Sequence, residues 1–174
     1  MDPFATLGIE RRFTVDIQAL EKTHRELSRA LHPDKFVGAG PTERRTALGK
    51  AVEVNEAWRV VKDPIRRAEA LFELAGIAVG ERNEPRPSPA LLMDMMEQRE
   101  LLAEARAARD ASRVNELADA IDARARAAEQ ALADGFAAAA GAKEKLEALV
   151  PRLGELRFYR GFLEEVSAFE DGGS

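Results

Sequence analysis

The 174-residue chain contains no cysteine and only two histidines, His24 and His32. Without cysteine it has no disulfide bonds, no thiolate nucleophile and no thiolate ligands for a metal. Two histidines are also too few for the multi-histidine sites that commonly bind zinc. We therefore expect no bound metal and no cofactor.

Aromatic residues are scarce, at 6% of the chain, and no long run of alternating β-branched residues is present. This composition argues against β-sheets and, with abundant alanine, predicts an all-α fold. Charged residues make up 33% and apolar residues 45%, as in globular proteins rather than disordered ones. No apolar run is long enough to cross a bilayer and no signal peptide is recognisable, so we expect a cytoplasmic protein.

The net charge of -5 is unevenly distributed along the chain. Residues 1–76 hold 13 Lys/Arg and 12 Asp/Glu, a net charge of +1, whereas residues 77–174 hold 13 and 19, a net charge of -6. An acidic second half would repel nucleic-acid phosphates. The asymmetry indicates two modules with different partners, and we expect neither nucleic acid nor a membrane among them.

Residues 1–76 contain predicted helices separated by helix-breaking residues. Asp16 is the expected N-cap of a long helix whose apolar residues recur at helical spacing. Pro33 cannot continue that helix, so the tripeptide His32-Pro33-Asp34 is expected in a loop that runs through "DKFVGAGP". A short helix is predicted before this one, and two more after it, over residues 42–62 and 64–76.

Residues 77–88 are expected to form a linker, because they are rich in proline and poor in apolar groups. Beyond it, helical periodicity predicts a three-helix bundle over residues 89–171. Its helices are expected at about 89–110, 112–138 and 142–169, with a break near "FAAAAG" between Gly135 and Gly141. We interpret the last of them as a single helix kinked at Pro151.

The first helix of this bundle has two apolar faces. At about 100° per residue, one stripe can face the bundle, formed by Leu91, Met95, Gln98, Leu102 and Ala105. The other side carries a second apolar patch edged by carboxylates, formed by Leu92, Met93, Met96, Glu97, Glu100 and Glu104. Methionines adapt to partner surfaces and glutamates pair with basic groups, so this side is a candidate protein-binding face. The alternative is that the bundle covers both faces, or that these are isolated surface apolar residues.

The stretch "HPDKF", in a loop between two amphipathic helices, resembles the J-domain, the module that stimulates ATP hydrolysis by DnaK-type chaperones. The resemblance covers residues 1–76 and implies that His32, Pro33 and Asp34 couple the module to the chaperone ATPase. Basic residues at helical spacing, and one just past the helix end, can steer an acidic partner: Lys22, Arg25, Arg29 and Lys35. The alternative is a helix C-terminus at which basic residues interact with the helix dipole and Pro-Asp makes a turn.

The whole chain resembles the HscB family of iron–sulfur co-chaperones, which are DnaJ-like proteins. The stretches that carry the resemblance are "LHPDKF", "VNEAWRVVKDPIRRAEALFELAG", "LLMDMMEQRELLAEA" and "LRF". The resemblance implies an L-shaped protein that delivers an IscU-type scaffold protein to an HscA/DnaK-type chaperone and is not itself an enzyme. It also implies that IscU binds the patch at 92–104, completed by Phe158.

The chain departs from the family pattern in several places. Leu31 and His24 replace aromatic residues that are often seen on the second helix. Met96 stands where leucine is usual, which is a conservative exchange. The stretch from Ala137 to Pro151 is longer than expected, so the match of Phe158 rests on "LRF" alone. Two other functions are compatible with the sequence: a general J-domain co-chaperone with a different client, and a structural helical dimerisation protein.

Overall fold

All regular structure in the described part of the computed structural model is helical, which confirms the all-α prediction. The structure describes residues 1–80, 83 and 86–171, so part of the predicted 77–88 linker lies outside the described residues. The chain divides into two compact units, Met1–Ile77 and Ala78–Ser174. We call them the N-terminal unit and the C-terminal unit.

The N-terminal unit is a helical hairpin with a short helix at either end. Its helices are α1 Pro3–Thr6, α2 Ile17–Ala30, α3 Pro41–Lys62 and α4 Pro64–Leu74. Aspartates begin three of them, because a carboxylate at the N-cap accepts hydrogen bonds from backbone N–H groups that have no partner in the helix. Asp16, for example, accepts a hydrogen bond from the Ala19 amide at 3.0 Å.

The core of the N-terminal unit lies between α1, α2 and α3. Its buried side chains come from these helices and from α4: Phe4, Leu7, Leu20, Val54, Ala57, Val61 and Ala70. A buried arginine lies beside this core. The guanidinium of Arg67 lies 4.7 Å from the ring centroid of Phe13 and donates a hydrogen bond to the Val61 carbonyl at 2.8 Å. The aromatic ring and the hydrogen bond compensate for removing this charge from water.

The C-terminal unit contains three long helices, α5 Pro89–Ala107, α6 Ala111–Ala139 and α8 Val150–Asp171, and the short helix α7 Lys143–Glu147. Helix α6 packs extensively on α8 and also contacts α5 and α7. The largest fully buried side chains of this unit are Leu102, Ile121, Leu132, Leu153 and Phe162.

The predicted helix at about 112–138 and the break near "FAAAAG" are confirmed, since α6 ends at Ala139 and the two residues after it, Ala140 and Gly141, have positive φ. Within α6, Gly135 leaves room for the Leu149 side chain, since a Cβ at Gly135 would lie 2.2 Å from Leu149 Cδ2. The prediction for the last stretch was wrong, because it forms two helices rather than one kinked helix. Pro151 lies in the first turn of α8, where its missing N–H breaks no helical hydrogen bond.

The "DKFVGAGP" segment also differs from the predicted loop, since Pro33–Phe36 form a single turn of 3-10 helix. Pro33 occupies its first position, where a fixed φ near -65° favours a helical start. The proline therefore ends α2 and begins the next turn.

The N-cap of α2 can be tested because the only tryptophan, Trp58, stacks on His24 of that helix, with ring centroids 5.2 Å apart. We expect Asp16→Ala to lower the free energy of unfolding of the N-terminal unit by about 0.5–2 kcal/mol, because the Ala19 amide loses its acceptor. Denaturant unfolding followed by Trp58 fluorescence measures this. Asp16→Asn keeps an acceptor and is the matched control. An equal loss in both variants would show that the cap hydrogen bond is not what stabilises α2.

Candidate partner-binding surfaces

The first candidate surface is the turn between α2 and α3, where His32, Pro33 and Asp34 are all exposed. Leu31 ends α2, and His32 has extended backbone geometry, with φ -62° and ψ 134°. Its Nδ1 accepts a hydrogen bond from the Asp34 amide at 3.3 Å. The Asp34 carboxylate Oδ2 also lies 3.5 Å from this nitrogen.

The side chains of this turn point into solvent, with 58% of His32 and 88% of Asp34 exposed. The local amide contact fixes the imidazole relative to the turn, and Pro33 fixes the backbone between the two residues. This arrangement gives a partner a pre-ordered pair of polar groups, which lowers the entropy cost of binding. The turn can therefore serve as a docking point.

The predicted basic residues on and after α2 are all exposed. They are Lys22, Arg25, Arg29 and Lys35. Arg25 has an ion pair with Glu21 at 3.2 Å, but both side chains are more than half exposed, so the pair is weak. The positive charges can thus attract an acidic surface at distances shorter than the Debye screening length.

The second candidate surface is the solvent face of α5. The predicted bundle stripe is inside, with Met95, Leu102 and Ala105 buried and Leu91 and Gln98 half-buried. The other side exposes 42% of Leu92, 72% of Met93 and 64% of Met96. The three glutamates beside them are also exposed: Glu97, Glu100 and Glu104. Because these apolar side chains are not covered within the described chain, the bundle does not bury both faces of α5.

Phe158 lies on α8 and lines the same groove as Leu91 and Arg99 of α5. It is half-buried, whereas the methionines of α5 are exposed. Phe158 therefore lies on the side of α8 that faces α5. Its role in binding stays a prediction.

Three arginines that no sequence pattern singled out line this groove, Arg86, Arg99 and Arg157. Arg99 and Arg157 lie on different helices, α5 and α8, and Arg86 precedes α5. The sequence patterns also gave no role to Leu48 and Val52 of α3, which are 59% and 61% exposed. Among the described residues, no group of three or more His, Asp or Glu side chains is arranged to hold a metal ion.

Comparison with known proteins identifies the family. The family model described as the HSCB C-terminal oligomerisation domain matches residues 87–167. The co-chaperone protein HscB homolog of Bordetella petrii is 41% identical over 105 residues, which are 60% of this chain and 62% of that protein. The homolog of Aromatoleum aromaticum is 40% identical over 116 residues, or 67% and 66% of the two chains. The chain belongs to the HscB family of co-chaperones. These alignments span slightly less than two thirds of the relatives' own lengths.

Solved structures of the HscB family have the same fold. Chaperone HscB from Vibrio cholerae matches with a TM-score of 0.84 and 29% identity, over 99% of both chains. The human co-chaperone protein HscB matches with a TM-score of 0.86 over 98% of this chain and 82% of the human one. Its identity of 24% supports the fold alone. No helix in the described ranges is both long and apolar enough to cross a membrane.

The exposure of the α5 methionines predicts that they contribute little to folding. We expect Met93→Ala/Met96→Ala to change the free energy of unfolding by less than about 0.5 kcal/mol per residue, since both side chains are mostly in water. Met95→Ala, on the same helix but with a side chain only 2% exposed, should cost about 2–5 kcal/mol. Denaturant unfolding followed by circular dichroism compares them. Equal losses in the two variants would mean that Met93 and Met96 are structural.

Proposed function

We propose that this chain is an adaptor that delivers an IscU-type iron–sulfur scaffold protein to an HscA/DnaK-type chaperone and stimulates the chaperone's ATP hydrolysis. The observation that carries the proposal is that each of the two compact units exposes one surface suited to a protein partner. These surfaces are the His32-Pro33-Asp34 turn and the solvent face of α5. Membership of a co-chaperone family supports the same function.

In this proposal the N-terminal unit acts as a J-domain. Exposed basic residues on α2 accelerate encounter with an acidic surface of the chaperone, and the rigid turn at its end supplies the specific contact. His32 and Asp34 then act on the ATPase by binding one conformation of it better than another, since a ligand shifts an equilibrium only by differential affinity. The chain itself performs no covalent chemistry.

The C-terminal unit binds the scaffold through α5. When a partner covers the exposed apolar area of Leu92, Met93 and Met96, burial of that area stabilises the complex by about 25 cal/mol per Å². The flexible methionine side chains adjust to the shape of the partner. The glutamates at the edge, Glu97, Glu100 and Glu104, pair with basic groups of the partner and set its orientation. Phe158 extends the apolar surface towards α8.

Placing both surfaces on one chain explains why a protein without a reaction centre can act as an activator. When the scaffold is bound to one unit and the chaperone to the other, each partner is held near the other at a raised effective concentration. The chain has no cysteine, so the iron–sulfur cluster stays on the scaffold. We also propose the cytoplasm as the location.

A second candidate function is self-association through the same α5 face. The family model that matches this region is described as an oligomerisation domain, and exposed apolar residues on a helix also suit a second copy of the chain. Light scattering of the purified protein separates the two. A dimer that Met93→Ala/Met96→Ala dissociates would favour self-association, and a monomer in both cases would favour the scaffold.

The adaptor function predicts synergy in steady-state ATP hydrolysis by an HscA/DnaK-type chaperone. We expect the chain and IscU together to stimulate hydrolysis far more than either alone. His32→Gln should abolish stimulation with or without IscU, because the turn loses its contact with the ATPase. Met93→Ala/Met96→Ala should keep stimulation by the chain alone and lose only the part that depends on IscU.

Each result that departs from these expectations would contradict a different part of the proposal. Stimulation that requires His32 but ignores IscU and the methionines would leave a J-domain co-chaperone with a different client. Absence of stimulation by the wild-type chain would contradict the J-domain function itself. Lys22→Ala is a useful graded control, because loss of one steering charge should slow association more than it changes the maximal rate.

A further inference from the structure

An open groove separates α5 from the first half of α8 in the C-terminal unit. Its volume is about 610 Å³, and its apolar lining includes Leu91, Val150, Pro151 and Phe158. Gly161 of α8 also lines it, and a Cβ built there would meet no atom within 4 Å. The groove is therefore a real gap between two helices that few side chains fill.

The groove is positively charged within an acidic unit. Three arginines line it, Arg86, Arg99 and Arg157, and one carboxylate, Glu155. Glu155 is paired with Arg152 at 3.0 Å, and Arg99 is paired with Glu165 at 3.5 Å, but both arginine side chains are about half exposed, so these pairs are weak. Residues 78–174 as a whole hold 13 Lys/Arg and 19 Asp/Glu, a net charge of -6. A local positive site in such a unit favours a ligand that carries carboxylates.

The groove is continuous with the apolar face of α5. Arg99 follows Leu92 by about two helical turns, so the two lie along the same edge of the helix. At about 100° per residue, Met96 comes next around α5, and Met93 lies beyond it among the glutamates. A partner on this surface therefore meets a basic group beside Leu92 and acidic groups around Met93.

We propose that the groove binds an acidic segment of the same scaffold protein that covers the α5 face. Carboxylates of the segment pair with Arg99 and Arg157, and an apolar side chain packs against Leu91 and Phe158. This inference rests on the proposed function and specifies the chemistry of the partner. A small anion would leave the apolar lining uncovered, which is why the occupant is a peptide segment.

The proposed pairing of Arg99 and Arg157 with carboxylates is tested by measuring the affinity of the full-length chain for purified IscU-type scaffold at low and high ionic strength. We expect Arg99→Gln/Arg157→Gln to weaken binding by about tenfold at low ionic strength and to reduce its salt dependence. The matched control is Glu165→Gln, since Glu165 Oε2 lies 3.5 Å from Arg99 Nε. It breaks the same ion pair between α5 and α8 but keeps the cation, so binding should be unchanged or tighter.

The proposed occupation of the groove by a scaffold side chain is tested by filling the groove with a larger residue. Gly161→Leu places a side chain in the open space, and leucine favours a helix more than glycine does, so the variant should fold normally and lose scaffold affinity. Gly49→Leu is the matched control, because Gly49 lies within α3 and a Cβ there also meets no atom within 4 Å. It should bind the scaffold like the wild-type chain. Circular dichroism checks that both variants are folded.

The outcomes separate this inference from the function on which it rests. Loss of binding in the arginine and Gly161→Leu variants, with both controls intact, supports the groove as the binding site. Wild-type affinity in those variants, while Met93→Ala/Met96→Ala abolishes binding, overturns the inference and leaves the proposed function in place. A loss in Glu165→Gln equal to that in the arginine variant overturns it too, because the contact between helices would then be what matters. No binding by the wild-type chain contradicts both.

Discussion

The structure depends on each long helix burying one apolar face against its neighbours. In α5 that face is Met95, Leu102 and Ala105, and it is sufficient to attach the helix to the bundle. Leu92, Met93 and Met96 are consequently not required for packing and remain in water, where exposed apolar area is unfavourable unless a partner covers it. In the N-terminal unit the same rule buries Leu20 of α2 and leaves its basic residues outside. Both candidate surfaces are thus what remains after the cores have formed.

Much of the fold follows from local sequence, and the errors have identifiable physical causes. Pro33 lacks an N–H and fixes φ, so the end of α2 and the exposed turn could be predicted from one residue. The inner and outer faces of α5 followed from helical periodicity alone. Pro151 was misread because a proline is compatible with two structures, since it can kink a helix or begin one. The contact that Gly135 makes possible with Leu149 was not predicted, because a glycine can either end a helix or accommodate a neighbouring side chain. Only tertiary packing decides between them.

The groove could not be predicted, since it belongs to a pair of helices rather than to either one. Arg99 and Arg157 have no recognisable spacing in sequence, and an arginine on a helix is ordinarily a solvated surface residue. Packing of α5 on α8 places the two arginines and Phe158 around one open space. Around α5 a basic group therefore lies beside Leu92 and the glutamates lie around Met93, so the two ends of the apolar surface carry opposite charges. Such complementarity contributes more to orientation and specificity than to affinity.

The central claim is that one molecule must carry both surfaces. Mixing two variants, His32→Gln and Met93→Ala/Met96→Ala, in the ATPase assay with IscU tests it most directly. Each variant keeps one intact surface, but neither can hold both partners at once. The adaptor account predicts that the mixture shows no more synergy than the methionine variant alone. Recovery of wild-type synergy in the mixture would contradict it, because the two surfaces would then work without being on the same chain.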